Sequence, residues 1–280
     1  MVRNNDYLSP FVPPLHNVER GIQGVRFAEP QTMITTFYTK PENIRQDILT
    51  MDGDEAKHAL KILRCKIGDQ IFVVDGCGTK YNVLIEKASR STLEGKILSR
   101  IRKENEPAYH LTLAQAVCRQ ERMDFLIEKT TEIGVSSIIP ILTAKGLVKV
   151  SGISKGKAKI DRWRRIAIAG MKQSLRTVLP EIESITAFEC LLPRIGSYDL
   201  CLIASLEKDS KSLKECAELK RNVRKILLIV GPESGFSEEE LTQTKLHGAI
   251  PITLGSRRLR TETAGIIFPA LVLYQLGNLS

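Results

Sequence analysis

Two patterns of apolar and polar positions divide the chain. In the first, short runs alternate: Gln70 to Asp75, Lys80 to Lys87 and Thr92 to Ile101, joined at Gly76-Cys77-Gly78 and Ala88-Ser89-Arg90. Alternating strands between turn residues predict a small antiparallel barrel. A short helix is predicted before them over Glu55 to Arg64, with Ala59, Leu60 and Leu63 facing inward and Lys57, Lys61 and Arg64 outward. The second pattern starts at Leu111 to Val117, a strand. It continues with a helix whose apolar face is Met123, Leu126, Ile127, Thr130 and Ile133, ended by Gly134 as C-cap. Strands at Val135 to Leu142 and Leu200 to Ala204 flank a long helix, Lys155 to Leu175, whose inner face carries Ile160, Trp163, Ala167, Gly170, Met171 and Ser174. Strands alternating with helices predict an α/β domain with a mostly parallel sheet.

The last part of this pattern is the richest. The apolar run Ile226 to Val230 breaks at Gly231-Pro232-Glu233-Ser234-Gly235-Phe236, and Ser237 before Glu238, Glu239 and Glu240 predicts a capping box. A second strand, Ala249 to Leu254, leads into Gly255-Ser256-Arg257-Arg258-Leu259-Arg260-Thr261-Glu262-Thr263-Ala264. An apolar helix follows to Tyr274, with a kink expected at Pro269. Loops leaving strand ends in an open α/β sheet are where such folds bind ligands. Three arginines, a glutamate and two threonines within Arg257 to Thr263 serve no core, so they suit something anionic or polar. The bland reading, that the glycine loops are ordinary connections, stays open for either loop alone.

The pair Gly231-Pro232-Glu233-x-Gly235-Phe236 and Leu254-Gly255-x-Arg257-x-Leu259-Arg260-x-Glu262-Thr263-Ala264 resembles the signature of the SPOUT-class, RsmE-type 16S ribosomal RNA uridine-N3 methyltransferases. The resemblance covers roughly residues 34 to 278. It extends through His58 to Arg64, through Arg119 with Lys129, Glu132 and Gly134, and through Gln173-Ser174-x-Arg176. It implies a PUA-like RNA-binding barrel over residues 33–105 and a methyltransferase domain over 108–280 with a C-terminal trefoil knot, a feature that the ordinary rules of chain connection would not propose. It implies S-adenosylmethionine held by Gly231, Pro232, Glu233, Gly235, Leu254, Gly255, Leu259, Thr263 and Ala264. It also implies 16S rRNA of the small ribosomal subunit as partner, with Arg64, Arg119, Gln173, Arg176 and Arg257 toward RNA, and a homodimer. The chain departs from the family pattern at Ser234, where a glycine is usual, and at Lys172, where a glutamate is usual.

Composition sharpens this reading. In 280 residues, 41 Lys and Arg exceed 32 Asp and Glu, a formal +9 that favours a polyanionic partner. Much of that charge lies on the long helix at Lys155, Lys157, Lys159, Arg162, Arg164, Arg165 and Lys172, as phosphate-backbone binding needs. The six cysteines stand singly, without zinc spacing, so no metal is expected. Neither a signal peptide nor a long uninterrupted apolar run is evident, which points to the cytoplasm and away from membranes. Residues 1 to 32, rich in Pro and Asn, are expected to form a flexible extension.

Rossmann, P-loop and Ser-His-Asp signatures are all missing. Methyl transfer fits this poverty of catalytic side chains, because the cofactor brings its own leaving group and the protein mainly aligns the reactants. Arg260 is the candidate to stabilise charge on the uracil carbonyls, and Glu262 to position the base or accept its N3 proton, unless Glu262 only pairs with a neighbouring arginine. Two other readings remain open: methylation of another RNA position such as a ribose 2′-hydroxyl, and a non-catalytic RNA-binding module.

Overall fold

The computed structural model describes residues 35–148, 153–216 and 223–279. The extension expected over residues 1–32 lies outside them. The N-terminal strands are β1 (Thr36–Tyr38), β2 (Ile44–Arg45), β3 (Ile48–Asp52), β4 (Gln70–Val74), β5 (Thr79–Ala88) and β6 (Thr92–Arg102). They form one sheet in the order β1-β4-β5-β6-β3-β2, with β1 parallel to β4 and the other pairs antiparallel. Among the described residues this sheet is mixed, and no pairing of β1 with β2 closes it into the expected barrel. Register shifts at Asn82/Val83 and Ile85/Lys87 bend its long central pair. Gly95 of β6 lets that pair close up, since a Cβ there would stand 2.5 Å from Val83 Cγ1. Phe37, Met51, Ile71, Val83 and Leu93 belong to its buried core.

The predicted first helix is two pieces. α1 (Gly53–Lys57) widens into a π-helical turn, His58–Ile62, in which Leu63 N donates to His58 O. The wide turn keeps Ala59 buried and delivers Arg64 to solvent with a left-handed φ of 57°.

The C-terminal part runs β7 (His110–Ala116), α2 (Gln120–Ile133), β8 (Ser137–Leu142), α3 (Ile153–Gln173), β9 (Glu181–Ile182), β10 (Thr186–Ala187), β11 (Leu200–Ala204), β12 (Lys211–Ser212), β13 (Lys225–Val230), α4 (Glu238–Leu246), β14 (Ile250–Thr253) and α5 (Thr261–Gln275). Its sheet has the order β10-β8-β7-β13-β11-β14-β12, with β9 beside β8, and every pair is parallel. Both faces are covered, which is why β13 is apolar throughout rather than alternating. Its Ile226, Leu228 and Val230 join Trp163 and Phe268 on one face, while Leu227 and Ile229 join Phe188 and Phe236 on the other. Trp163 is a core residue, 1% exposed.

Chain order and space order disagree at the site. β13 lies between β7 and β11, and β14 lies beyond β11. α5 follows β14 yet packs on α2, β7 and β13, touching the Leu213–Glu215 turn of the β11–β13 connection. The chain thus recrosses its own sheet, a course that fits the implied knot. α5 continues through Pro269 as a single element.

The polar segment before Pro107 is tied to the residues that follow α3. Asn105 Nδ2 donates to Leu175 O, and the Glu106 carboxylate accepts from the backbone amides of Thr177 and Val178. Leu179 N donates to Gly76 O, in the turn between β4 and β5 of the N-terminal sheet, at 2.9 Å. Lys172, in place of the usual glutamate, pairs with Glu55 of α1. Among the described residues no helix is long and apolar enough to cross a membrane.

Candidate cofactor and RNA site

At the carboxyl ends of β11, β13 and β14 lies a cavity of about 360 Å³, within the usual range of small-molecule sites. The first loop leaves β13 at Gly231 and turns at once, with Gly235 N donating to Pro232 O at 2.9 Å. Gly231 has no room for a side chain: a Cβ would stand 2.9 Å from the Phe236 ring that floors the loop. Gly235 and Gly255 adopt φ of 73° and 109°, the left-handed region where glycine is unstrained. Ser234 keeps a negative φ, so its Cβ is tolerated, and its hydroxyl donates to Lys145 O at 2.7 Å. The departure from the usual glycine therefore adds an anchor for the loop.

α4 starts behind this loop with the expected capping box: Ser237 Oγ accepts from Glu240 N and Glu240 Oε2 from Ser237 N. The other oxygen of Glu240 accepts from Ala144 N at 2.7 Å, tying the loop after β8 to α4.

Of the residues expected to hold the cofactor, Gly231, Pro232, Glu233, Gly235, Leu254, Gly255, Leu259 and Ala264 line the cavity. Thr263 does not; it lies on α5, with Ala264 next to it supplying the wall. Arg257, expected to face RNA, lines the cavity with Arg258, whose Nη2 donates to Glu233 O. Ser205, Leu206 and Glu207, from the loop after β11, close another side.

Arg260 is the exposed N-cap of α5, and Glu262 follows inside its first turn. Glu262 is only 8% exposed. Its Oε1 stands 3.6 Å from Arg122 Nε, and its Oε2 is shielded without a hydrogen-bond partner. Arg122 Nη1 also donates to Glu233 Oε1 at 2.9 Å. Burial pushes the neighbouring Cys118 thiol up to about 12, helped by the charges of Glu233 and Glu262, so it is a neutral group beside two carboxylates.

Beneath the cavity, Gln115 of β7 is fully buried. It donates to Thr261 Oγ1 at 2.8 Å, and Thr261 Oγ1 donates to Gly231 O at 2.6 Å. This relay fixes the start of α5 against the first loop. Sequence reasoning missed Arg122 and Gln115 as members of the site, and it marked Arg258 and Thr261 only as part of the polar stretch Arg257 to Thr263. A glutamine in a fully buried stretch of β7, and an arginine in the first turn of a helix where the dipole disfavours cations, were the available signals.

The residues expected toward RNA are scattered. Arg64, Arg119 and Gln173 are exposed. Arg176 is a correction: it is buried, with Nη1 donating to Thr131 O and Val135 O and the rest of its fork on Glu106. Its charge is consumed inside the protein. Lys129 pairs with Glu128 and Glu132 on the surface of α2.

A family model described as an RNA methyltransferase domain matches residues 104–273, and one described as an RNA methyltransferase PUA domain matches residues 51–98. The first spans more than half of the chain, so the strands and both loops of the cavity are those of an RNA methyltransferase. Relatives narrow the class. The ribosomal RNA small subunit methyltransferase E of Buchnera aphidicola (subsp. Acyrthosiphon pisum) is 31% identical over 216 residues, 77% of this chain and 83% of that protein. The protein of the same name from Bacillus subtilis is 26% identical over 241 residues, 85% of this chain and 94% of its own. The crystal structure of the Neisseria gonorrhoeae protein of this name, bound to S-adenosyl methionine, shares a TM-score of 0.76 at 29% identity, covering 86% of this chain and 97% of that one. This chain belongs to the ribosomal RNA small subunit methyltransferase E family.

Proposed function

We propose that this protein methylates N3 of a uridine in 16S rRNA of the small ribosomal subunit, with S-adenosylmethionine as donor. The observation that carries the reading is the two-loop cavity with the orphaned Glu262 Oε2 beside it. The residues fit the cofactor. Glycine backbone at Gly231, Gly235 and Gly255 lets an adenosine approach, Leu254, Leu259 and Ala264 supply apolar wall, and Arg257 and Arg258 suit a carboxylate. When bound, the cofactor supplies an electrophilic methyl group on a sulfonium.

The chain's own contribution is alignment and proton management. Glu262 positions the base or accepts the proton from uracil N3, and Arg260, exposed at the N-cap of α5, stabilises negative charge on the uracil carbonyl oxygens. Residues 108–280 carry this chemistry. Residues 33–105, with Arg64 exposed, help hold RNA, as do Arg119, Gln173 and the outer basic side of α3. The family resemblance supports a homodimer acting in the cytoplasm, and α2 and α5, packed together, expose Phe125, Leu271 and Tyr274 for a second copy.

The test is transfer of labelled methyl to small subunits lacking the modification, followed by nucleoside analysis. Label in 3-methyluridine supports the assignment. Label in a 2′-O-methylnucleoside, or none despite cofactor binding, would overturn it in favour of another position or a binding module.

A further inference from the structure

We propose that Arg122 is the positioning residue that locks the two halves of the site together, by holding Glu233 of the first loop and Glu262 of α5 in one orientation beside the cavity. The inference rests on the proposed function and deepens it.

Three observations carry it. Arg122 occupies the first turn of α2, where the positive end of the helix dipole disfavours a cation, so its place is not explained by the helix that bears it. Two carboxylates converge on its guanidinium: Nη1 to Glu233 Oε1 at 2.9 Å and Nε to Glu262 Oε1 at 3.6 Å. These partners lie 111 and 140 residues further along the chain, one in the first loop and one in α5. Finally, the oxygen of Glu262 that Arg122 does not engage is the one left without a partner, on a residue 8% exposed. A planar fork can restrain two carboxylates at once, which the single ammonium of a lysine cannot do with the same geometry. With Oε1 held against Arg122, the Glu262 carboxylate has one fixed orientation, as a group that must act on a bound base needs.

The experiment compares R122Q, R122K, E262Q and the double variant R122Q/E262Q with the unaltered protein. It measures kcat and KM on small subunits lacking the modification, cofactor affinity by calorimetry, and the thermal midpoint of each variant. Acting through Glu262, R122Q should lower kcat on the order of 100-fold, the scale of a misaligned general base. The double variant should lose no more kcat than E262Q, because both changes disable one unit. Acting through Glu233, R122Q should also weaken cofactor binding several-fold, and R122K should recover part of both losses.

Losses that multiply in the double variant, or unchanged kcat in R122Q, would overturn the inference. Should R122Q fail to fold, R122K decides: kcat and affinity both at the unaltered level would sink it. If the unaltered protein methylates no small-subunit RNA, the proposed function fails instead, and the calorimetric arm still judges Arg122, since unchanged cofactor affinity in R122Q overturns its role.

Discussion

Arg176 and Glu106 meet inside the protein, Nη2 to Oε2 at 2.8 Å, with side chains 3% and 8% exposed. The pair closes the junction between the two sheets, because Glu106 also accepts from the amides of Thr177 and Val178 just before Leu179 bonds to Gly76. Leaving one buried charge without its partner costs about 3–5 kcal/mol. E106A and R176M should each lower the unfolding free energy by that amount in urea titrations, and the double variant by less than the sum. A loss below about 1 kcal/mol in either single variant would show that the junction does not depend on the pair.

Gly265 of α5 faces Gln115 with no space to spare: a Cβ there would fall 2.3 Å from Gln115 Oε1 and 2.6 Å from Leu126 Cδ1. G265A should therefore destabilise the fold by about 1–3 kcal/mol. By displacing Gln115 from Thr261 it should also weaken cofactor binding. G231A, which presses on the Phe236 ring, should lower cofactor affinity more than it lowers the thermal midpoint. Calorimetry paired with thermal unfolding separates the two outcomes.

Burial raises the Cys118 thiol from 9.0 to about 12, and Cys201, buried in the sheet, is pushed the same way. The fold thus favours the protonated thiols. Their contribution is complete below about pH 9 and is lost as pH climbs toward 12. Thermal midpoints should fall between pH 9 and 11, and C118A should fall less steeply than the unaltered protein. Iodoacetamide at pH 8 should label the exposed Cys77 and Cys190 long before Cys118. Equal labelling rates would contradict the burial.

Lys157, Arg164 and Arg165 lie exposed on α3. If they meet phosphates, each alanine substitution should reduce the slope of log affinity for RNA against log salt by about 0.9 for a duplex, or about 0.7 for a single strand. Cofactor affinity should not change. Filter binding across a salt series measures the slope, and unchanged slopes in all three variants would move the RNA elsewhere.

Where periodicity governs, the sequence was legible. The strand Leu200–Ala204, the Ser237 capping box and the Gly134 C-cap are as expected, since each depends on neighbours in the chain. Both glycine loops could also be read, because backbone close to a ligand requires glycine there. The closed barrel could not be judged from alternation, which is blind to whether the edge strands pair. Arg176 misled for a similar reason: a motif arginine looks alike whether its fork meets RNA or Glu106. Arg122 and Gln115 escaped because their partners are more than a hundred residues away, at Glu233, Glu262 and Thr261.

The relay from Gln115 to Thr261 spans 146 residues and needs α5 to have recrossed the sheet. During synthesis the first half of this relay emerges from the ribosome well before the second. A nascent chain can have every strand of the sheet and the whole first loop, yet the Gly231 carbonyl still lacks its hydroxyl donor and the cavity its last wall. The element that completes the site is thus the last one in the chain, and the cavity depends on its docking.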